Sequence, residues 1–238
     1  MHTSSSVRSV LGAGLLLAPV LAQAAAFSFG DDWSLSANPQ NGYSYGHAAN
    51  TTGPLTLFDQ GFESQANVEQ WRTLGVLFPL IAKNTSGSDI GSGTTVVIPA
   101  ASSRYLLTHP SDSGRYSVIS YALPLTGTLA FNADFASQDT AGATTDVHVF
   151  LSGTELFSGN ISGIGSTLSY ATPGGGLAVT AGDTLEVRVG FGANGNYFND
   201  STGVKMEGSI SAVPEPADYA AFAGLALVAF GAWRRCRR

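Results

Sequence analysis

Residues 184–189 read Thr-Leu-Glu-Val-Arg-Val, and this stretch shows most clearly which fold the chain adopts. Its apolar residues alternate with Glu186 and Arg188, so one side of an extended segment is apolar and the other is polar. A β-strand with one buried face requires this period of two. Residues 147–151, Val-His-Val-Phe-Leu, form a second run of the same kind.

Similar short runs recur through the middle of the chain, separated by clusters of Gly, Pro, Asn, Asp and Ser. They predict further strands at 28–35, 55–59, 76–82, 94–99, 116–123, 128–136, 154–157, 177–180 and 205–211. Ser152-Gly153 and Gly182-Asp183 predict tight turns and therefore antiparallel pairing. The one helical pattern in this part is a weak turn at 63–72. We therefore predict an all-β fold, a single antiparallel β-sandwich of jelly-roll-like topology.

The N-terminal end precedes this β body and has a different character. Arg8 is followed by an apolar run over 10–21 and then by small residues that offer Ala-x-Ala sites ending at Ala24 or at Ala26. This is the layout of a secretory signal peptide. We predict a signal peptide at 1–26, export by a Sec-type machinery, and cleavage after Ala24 or after Ala26.

The C-terminal end, residues 213–238, combines a short motif, an apolar run and a basic cluster. The motif is Val213, Pro214, Glu215 and Pro216, and the cluster is Arg234, Arg235, Arg237 and Arg238. The apolar run predicts a transmembrane helix at about 217–233, near the lower length limit for a span. The arginines predict that their side is cytoplasmic and that the β-sandwich, residues 27–212, lies outside.

This order of motif, helix and arginines resembles the PEP-CTERM sorting signal of Gram-negative bacteria. The resemblance implies processing by an exosortase at or near Pro214-Glu215-Pro216 in the inner membrane. It also implies a final place at the cell surface or in the extracellular matrix, because family members are typically envelope or matrix proteins of organisms that make exopolysaccharide. Cys236 within the arginine cluster departs from the usual pattern.

The body is similar to a group of bacterial exported jelly-roll modules. The stretches that carry this similarity are 38–46, 109–110, 146–149, 181–184 and 194–202. It implies a lectin-like or carbohydrate-binding fold, and most such modules have no established activity.

Charge and cysteine content exclude several classes of function. The body holds six Lys or Arg against fifteen Asp or Glu, and its net charge of −9 argues against nucleic acid as a partner. The single cysteine, Cys236, lies outside the body, so the body has neither disulfides nor thiol chemistry.

Two groups of residues are candidates for ligand binding. The candidate carbohydrate-binding residues are Tyr43, Tyr45, Trp71, Asn194, Asn196 and Tyr197, since ring faces and amides suit the apolar faces and hydroxyls of sugars. Asn199 and Asp200 are candidate ligands for Ca²⁺, the one cofactor considered, because their oxygens suit that ion. Core packing of the aromatic residues and an ordinary loop at 194–202 are the alternatives.

No residue is predicted to be catalytic, because the chain lacks a nucleophile elbow and any metal-binding histidine spacing. The leading hypothesis is a non-enzymatic, exported protein that binds extracellular polysaccharide. A purely structural matrix protein without a discrete ligand is the first alternative. A polysaccharide-degrading enzyme that uses Glu63 and Glu69 is the second, because paired carboxylates carry out glycoside hydrolysis.

Overall fold

The computed structural model of the chain describes residues 23–212 and 216–237. Most of the predicted signal peptide at 1–26 therefore lies outside the described residues, as do Val213, Pro214, Glu215 and Arg238. Residues 23–212 form one compact unit, and the C-terminal helix belongs to a second, separate one.

Seventeen strands make up the described part of the first unit. In chain order they are β1 (Ala24–Ser28), β2 (Tyr43–Ala48), β3 (Thr56–Leu57), β4 (Gln60–Gln65), β5 (Val68–Arg72), β6 (Leu80–Asn84), β7 (Ile90–Ser92), β8 (Val96–Ile98), β9 (Leu106–His109), β10 (Tyr116–Ala122), β11 (Gly127–Ser137), β12 (Asp146–Leu151), β13 (Thr154–Asn160), β14 (Thr167–Ala171), β15 (Leu177–Val179), β16 (Thr184–Gly190) and β17 (Thr202–Ala212). Short 3-10 turns occupy Ala101–Ser103 and Gly192–Asn194.

The strands form two large antiparallel sheets and one small hairpin. The first sheet runs β14-β11-β17-β9-β6-β5-β4, with β1 also paired to β17 and β15 to β11. The second sheet runs β13-β12-β16-β10-β2-β3, and β7 pairs with β8. Between β9 and β12 the chain alternates between the two large sheets, so its connections cross over the core.

The main core lies between the two large sheets. Alternate residues of β11, such as Leu129 and Phe131, face it from the first sheet and are at most 3% exposed. Val147 and Val187 face it from the second sheet. Because both sheets bury one face against each other, the predicted antiparallel β-sandwich is confirmed, while its jelly-roll-like topology stays a prediction.

A second, smaller core lies on the outer face of the first sheet. Its buried members are Val68, Leu80, Ala82, Ile98 and Leu107. Ile90 and Val96 of the β7-β8 hairpin pack against it. The hairpin therefore covers part of a sheet face that would otherwise be open to solvent, and it leaves a recess beside itself.

Most predicted strands are present, but three local predictions were wrong. The segment 63–72 is not a helical turn. It is the β4-β5 hairpin, because Gln70 and Trp71 point to opposite cores and so follow the strand period. Only Ser28 of the strand predicted at 28–35 is in β1, since Asp32 accepts the Ser28 N–H in a tight turn. Gly182-Asp183 forms the predicted tight turn, with the Asp183 N–H bonded to the Thr180 carbonyl, but it joins β15 to β16 in the other sheet, so the antiparallel pairing expected across it is absent.

The C-terminal end contains helix α1 (Pro216–Cys236). Nowhere in the described parts of the chain does a helix combine the length and the apolar character that a membrane span needs, so the transmembrane helix predicted at about 217–233 is not found.

Candidate functional site

A cleft of about 420 Å³ opens on the outer face of the first sheet, beside the β7-β8 hairpin. We call it the outer cleft. Two cross-strand rows form its floor. One row contains Phe62, Gln70 and Leu107, with Ala82 joining the last two beneath the lining, and the other contains Arg72, Leu80 and His109. Strand pairing fixes these residues side by side, so the floor is built on the rigid part of the fold.

Aromatic rings form one wall of the outer cleft and continue beyond it. Phe78 stacks on His109, with 4.0 Å between ring centroids and 20° between planes. Tyr197 packs against Phe78 at 5.6 Å, and Phe198 stacks on Tyr197 at 4.6 Å. This aromatic row runs from His109, which is 7% exposed, to Phe198, which is 65% exposed. Its outer end therefore offers a free ring to a ligand.

Two residues that line the outer cleft, Gln70 and His109, bring polar groups to it. Gln70 is buried and brings an amide with both donors and an acceptor. His109 donates a hydrogen bond from Nδ1 to the Pro110 carbonyl oxygen over 2.8 Å, and this leaves Nε2 as an acceptor. Burial lowers the pKa of His109, so the ring is neutral near pH 7. The outer cleft thus combines ring faces, an amide and an imidazole.

The predicted platform of Tyr43, Tyr45 and Trp71 is wrong, because all three side chains are in the main core. Their exposed fractions are 2%, 1% and 5%. Tyr45 packs between Trp33, at 4.7 Å, and Trp71, at 6.5 Å. Period two places both tyrosines on one face of β2, as predicted, but that face is turned inward.

The other three predicted carbohydrate residues lie in the connection between β16 and β17. The Asn194 side chain accepts the Asn196 N–H, and the Asn196 side chain accepts the Phe198 N–H, each over 3.1 Å. Both amides therefore shape the turn that holds Tyr197 against Phe78 and His109. Of the six predicted residues, Tyr197 is the one that packs against the lining of the outer cleft.

The two candidate calcium ligands have protein partners. Asn199 accepts a hydrogen bond from the Thr95 hydroxyl over 3.3 Å, and Asp200 Oδ1 accepts the Thr144 N–H over 2.9 Å. Asp200 Oδ2 and Oδ1 of buried Asp139 have no hydrogen-bond partner in the described structure. Across residues 23–212 and 216–237, no group of three or more His, Cys, Asp or Glu side chains is arranged to hold a metal. Calcium binding stays a prediction.

The two carboxylates that a polysaccharide-degrading enzyme would use, those of Glu63 and Glu69, do not line the outer cleft. Glu63 and Glu69 are cross-strand partners in the β4-β5 hairpin. Glu63 accepts the Asn67 N–H in the hairpin turn, and Glu69 accepts the Trp33 indole N–H over 2.7 Å. Each therefore has a role in holding the fold, and no carboxylate is among the residues lining the outer cleft.

Comparison with known proteins gives no family for the chain. No protein-family model matches it. No curated protein sequence matches it either. The solved structures similar to it include the CBM36-1 domain of a multidomain xylanase from the hindgut metagenome of Trinervitermes trinervoides, at 13% identity over 55% of this chain and 94% of that one, with a TM-score of 0.28.

Two further structures are similar at the same level. A Stig cyclase from Fischerella sp. TAU is 11% identical over 79% of this chain and 100% of that one, with a TM-score of 0.32. A β-glucosidase from Kluyveromyces marxianus is 13% identical over 52% of this chain and 14% of that one, with a TM-score of 0.23. Similarities this low carry no information about function, which has to come from the geometry of the chain itself.

Four residues that line the outer cleft were not predicted from the sequence: Phe62, Arg72, Phe78 and His109. A usable signal was present at 74–78, where Leu-Gly-Val-Leu-Phe is apolar without the period of a strand. Leu74 and Leu77 in this stretch are 67% and 59% exposed. A run of exposed apolar residues in a loop indicates a contact surface more often than a core.

Proposed function

We propose that the chain is a non-catalytic polysaccharide-binding protein and that the outer cleft is its binding site. The aromatic row carries this proposal. Sugars present apolar ring faces and hydroxyl groups, and the row offers the exposed Phe198 ring beside the half-buried Tyr197. Gln70 and His109 supply hydrogen-bonding groups on the floor below. A shallow cleft with a stacking wall and a polar floor suits a saccharide chain.

The lining of the outer cleft also supports binding over hydrolysis. Glycoside hydrolysis requires two carboxyl groups beside the scissile bond, and no Asp or Glu lines this cleft. The neutral His109 has its Nδ1 proton engaged with Pro110. The alternative is a purely structural role in the matrix without a ligand. A binding experiment distinguishes this role from polysaccharide binding.

The test is retention of the purified full chain in native gels that contain soluble polysaccharides, compared with Phe198→Ala. Phe198 is exposed, so its removal should leave the unfolding midpoint unchanged while retention falls about 5- to 10-fold, the effect of losing one stacked ring. Ile164→Ala is the matched control, since Ile164 is 70% exposed and does not line the outer cleft. Equal retention of both variants, or no retention on any polymer, would contradict the proposal.

We further propose that the chain is exported and sorted to the cell envelope. The signal-peptide layout at 1–26 and the resemblance of 213–238 to a PEP-CTERM signal support this. In a host with an exosortase, changing Pro214, Glu215 and Pro216 to alanine should leave uncleaved precursor in the inner-membrane fraction. Normal processing and surface delivery of that variant would refute the sorting proposal.

A further inference from the structure

Arg72 is the one charged residue among those that line the outer cleft. His109 also lines it, but its imidazole is neutral near pH 7. It lies at the end of β5, and its guanidinium carbon stands 4.6 Å from the centroid of the Phe62 ring. Its Nε is buried and has no hydrogen-bond partner in the described structure. Phe62 therefore holds a guanidinium in the cleft with part of its donor capacity unused.

Three other cations of the body, those of Arg104, Arg188 and Lys205, form ion pairs with carboxylates, whereas Lys83 and Arg115 form none with the described residues and do not line the outer cleft. Arg104 bridges Asp31 and Glu207 at 3.0 Å each, and Arg188 pairs with Glu186 at 2.7 Å. Arg72 forms no ion pair with any described residue, although Asp and Glu outnumber Lys and Arg in the body by fifteen to six. In so acidic a chain, an unpaired arginine inside a cleft free of carboxylates is positioned for an external anion.

An arginine that lines a cleft without an ion pair keeps its charge free for a ligand. The planar fork of a guanidinium forms two parallel, charge-assisted hydrogen bonds with a carboxylate. A neutral sugar hydroxyl brings no charge and forms weaker hydrogen bonds, so a site of this kind favours acidic over neutral saccharides.

We infer that the ligand of the outer cleft is an acidic polysaccharide, whose sugar carboxylate pairs with Arg72 while its ring faces contact the aromatic row. This inference rests on the proposed polysaccharide-binding function and adds the class of polymer. The chain's own net charge opposes nonspecific association with a polyanion. Binding to such a polymer therefore has to come from a local cation.

The test compares polygalacturonate with its fully methyl-esterified form, which has the same backbone and no charge. The full chain should bind polygalacturonate at least about tenfold more tightly, and added salt should weaken that binding alone. Arg72→Gln should bring the affinity for polygalacturonate down to the level of the ester, and Arg72→Lys should lie between. Arg115→Gln is the control, because Arg115 does not line the outer cleft.

Thermal unfolding of each variant confirms that it is folded before binding is measured. Equal affinity of the wild-type chain for the two polymers, or unchanged discrimination in Arg72→Gln, would overturn the acidic-ligand inference and leave polysaccharide binding standing. Absence of binding to these two polymers and to every neutral polysaccharide would overturn both.

Discussion

Tyr43 donates a hydrogen bond to Asp32, with 2.6 Å between its hydroxyl oxygen and Oδ2. Tyr45, two residues further along β2, buries its hydroxyl without a partner among the described residues. The two rings face the same core, so they differ mainly in whether the polar atom is satisfied. A buried hydroxyl stabilises a fold only if it is hydrogen-bonded.

This difference predicts opposite responses to the same substitution. Tyr43→Phe should lower the free energy of unfolding by about 1–2 kcal/mol, because it leaves Asp32 without that donor. Tyr45→Phe should leave stability unchanged or raise it by about 1 kcal/mol, because it removes an unpaired polar atom. Urea denaturation of both variants is the measurement. A larger loss in Tyr45→Phe than in Tyr43→Phe would show that the hydroxyl of Tyr45 is satisfied after all.

The same pair of variants checks the correction of the predicted platform. Because both tyrosines are in the main core, neither variant should change retention on polysaccharide gels. A specific loss of binding in either variant would instead indicate that the polysaccharide-binding site includes β2.

His148 is held between two carboxylates on the outer face of the second sheet. Its Nε2 lies 2.9 Å from Asp146 Oδ2, and its Nδ1 lies 2.6 Å from Glu155 Oε1. A neutral imidazole carries one N–H, so both contacts are hydrogen bonds only when the ring is protonated. Burial lowers the pKa of His148, but the hydrogen bonds to the two acids outweigh this and raise the pKa above 6.5.

Because the pKa of His148 is raised in the folded state, its contribution to stability depends on pH. The folded protein binds the His148 proton more tightly than the unfolded chain does, so the contribution is fully present below about pH 6.5 and is lost as the pH rises through the folded-state pKa. The difference in unfolding free energy between wild type and His148→Gln should therefore be larger at about pH 5.5 than at about pH 8.5.

His47→Gln is the control for that experiment. Burial, together with nearby Arg115, lowers the pKa of His47, so its contribution should have the opposite pH dependence. Parallel curves for the two variants would contradict the protonated state of His148.

Asp200 gives a second pH-dependent prediction. Burial raises its pKa to about 6, against hydrogen bonds from Thr144, and the negative charges of Asp139 and Asp146 raise it further. An acid with a raised folded-state pKa destabilises the fold as it ionises, between about pH 4 and pH 6. The free energy of unfolding of Asp200→Asn, measured relative to wild type, should therefore rise by up to about 3 kcal/mol between about pH 4 and pH 7.

Asp183→Asn provides the contrast. Hydrogen bonds from Thr180 and Ser152 lower the pKa of Asp183, so its ionised form supports the fold and the substitution should be destabilising at neutral pH. If the stability of Asp200→Asn relative to wild type is no greater at pH 7 than at pH 4, the wild-type Asp200 carboxylate has a compensating partner. Added Ca²⁺ would identify that partner as a metal if it raised the thermal unfolding midpoint of wild type but not of the variant.

The β-sandwich was predictable because its strands carry a local signal. β16 and β11 alternate apolar and polar residues, and one buried face imposes that pattern whatever the partner strand is. The turn at Ser152-Gly153 was predictable for a similar reason, since both residues have positive φ, as a tight hairpin requires.

The outer cleft was not predictable, because it depends on which segments pair. Arg72 and His109 share a floor row only because β5, β6 and β9 are neighbours in the sheet. Tyr197 meets Phe78 across well over a hundred residues of sequence. No local pattern encodes such contacts. Tyr43 and Tyr45, which share one face of β2, therefore misled the sequence-based prediction.

The N-terminal strand β1 makes a prediction about signal-peptide cleavage. Ala24, Ala25 and Ala26 pair with Ser211, Ile210 and Ser209 on the free side of β17. Cleavage after Ala26 would remove these three pairs and leave that stretch of β17 with unpaired backbone groups. Cleavage after Ala24 keeps Ala25 and Ala26 in the sheet. We therefore expect the exported chain to begin at Ala25.

Intact-mass analysis of the protein secreted from a Gram-negative host distinguishes the two sites directly, because they differ by two alanines. Two refolded chains give an independent check. One that begins at Phe27 should unfold with a free energy about 1–3 kcal/mol lower than one that begins at Ala25, the effect of losing one or two net backbone hydrogen bonds at a sheet edge. A secreted chain that begins at Phe27, with no loss of stability, would mean that β1 does not need its alanines to stay paired with β17.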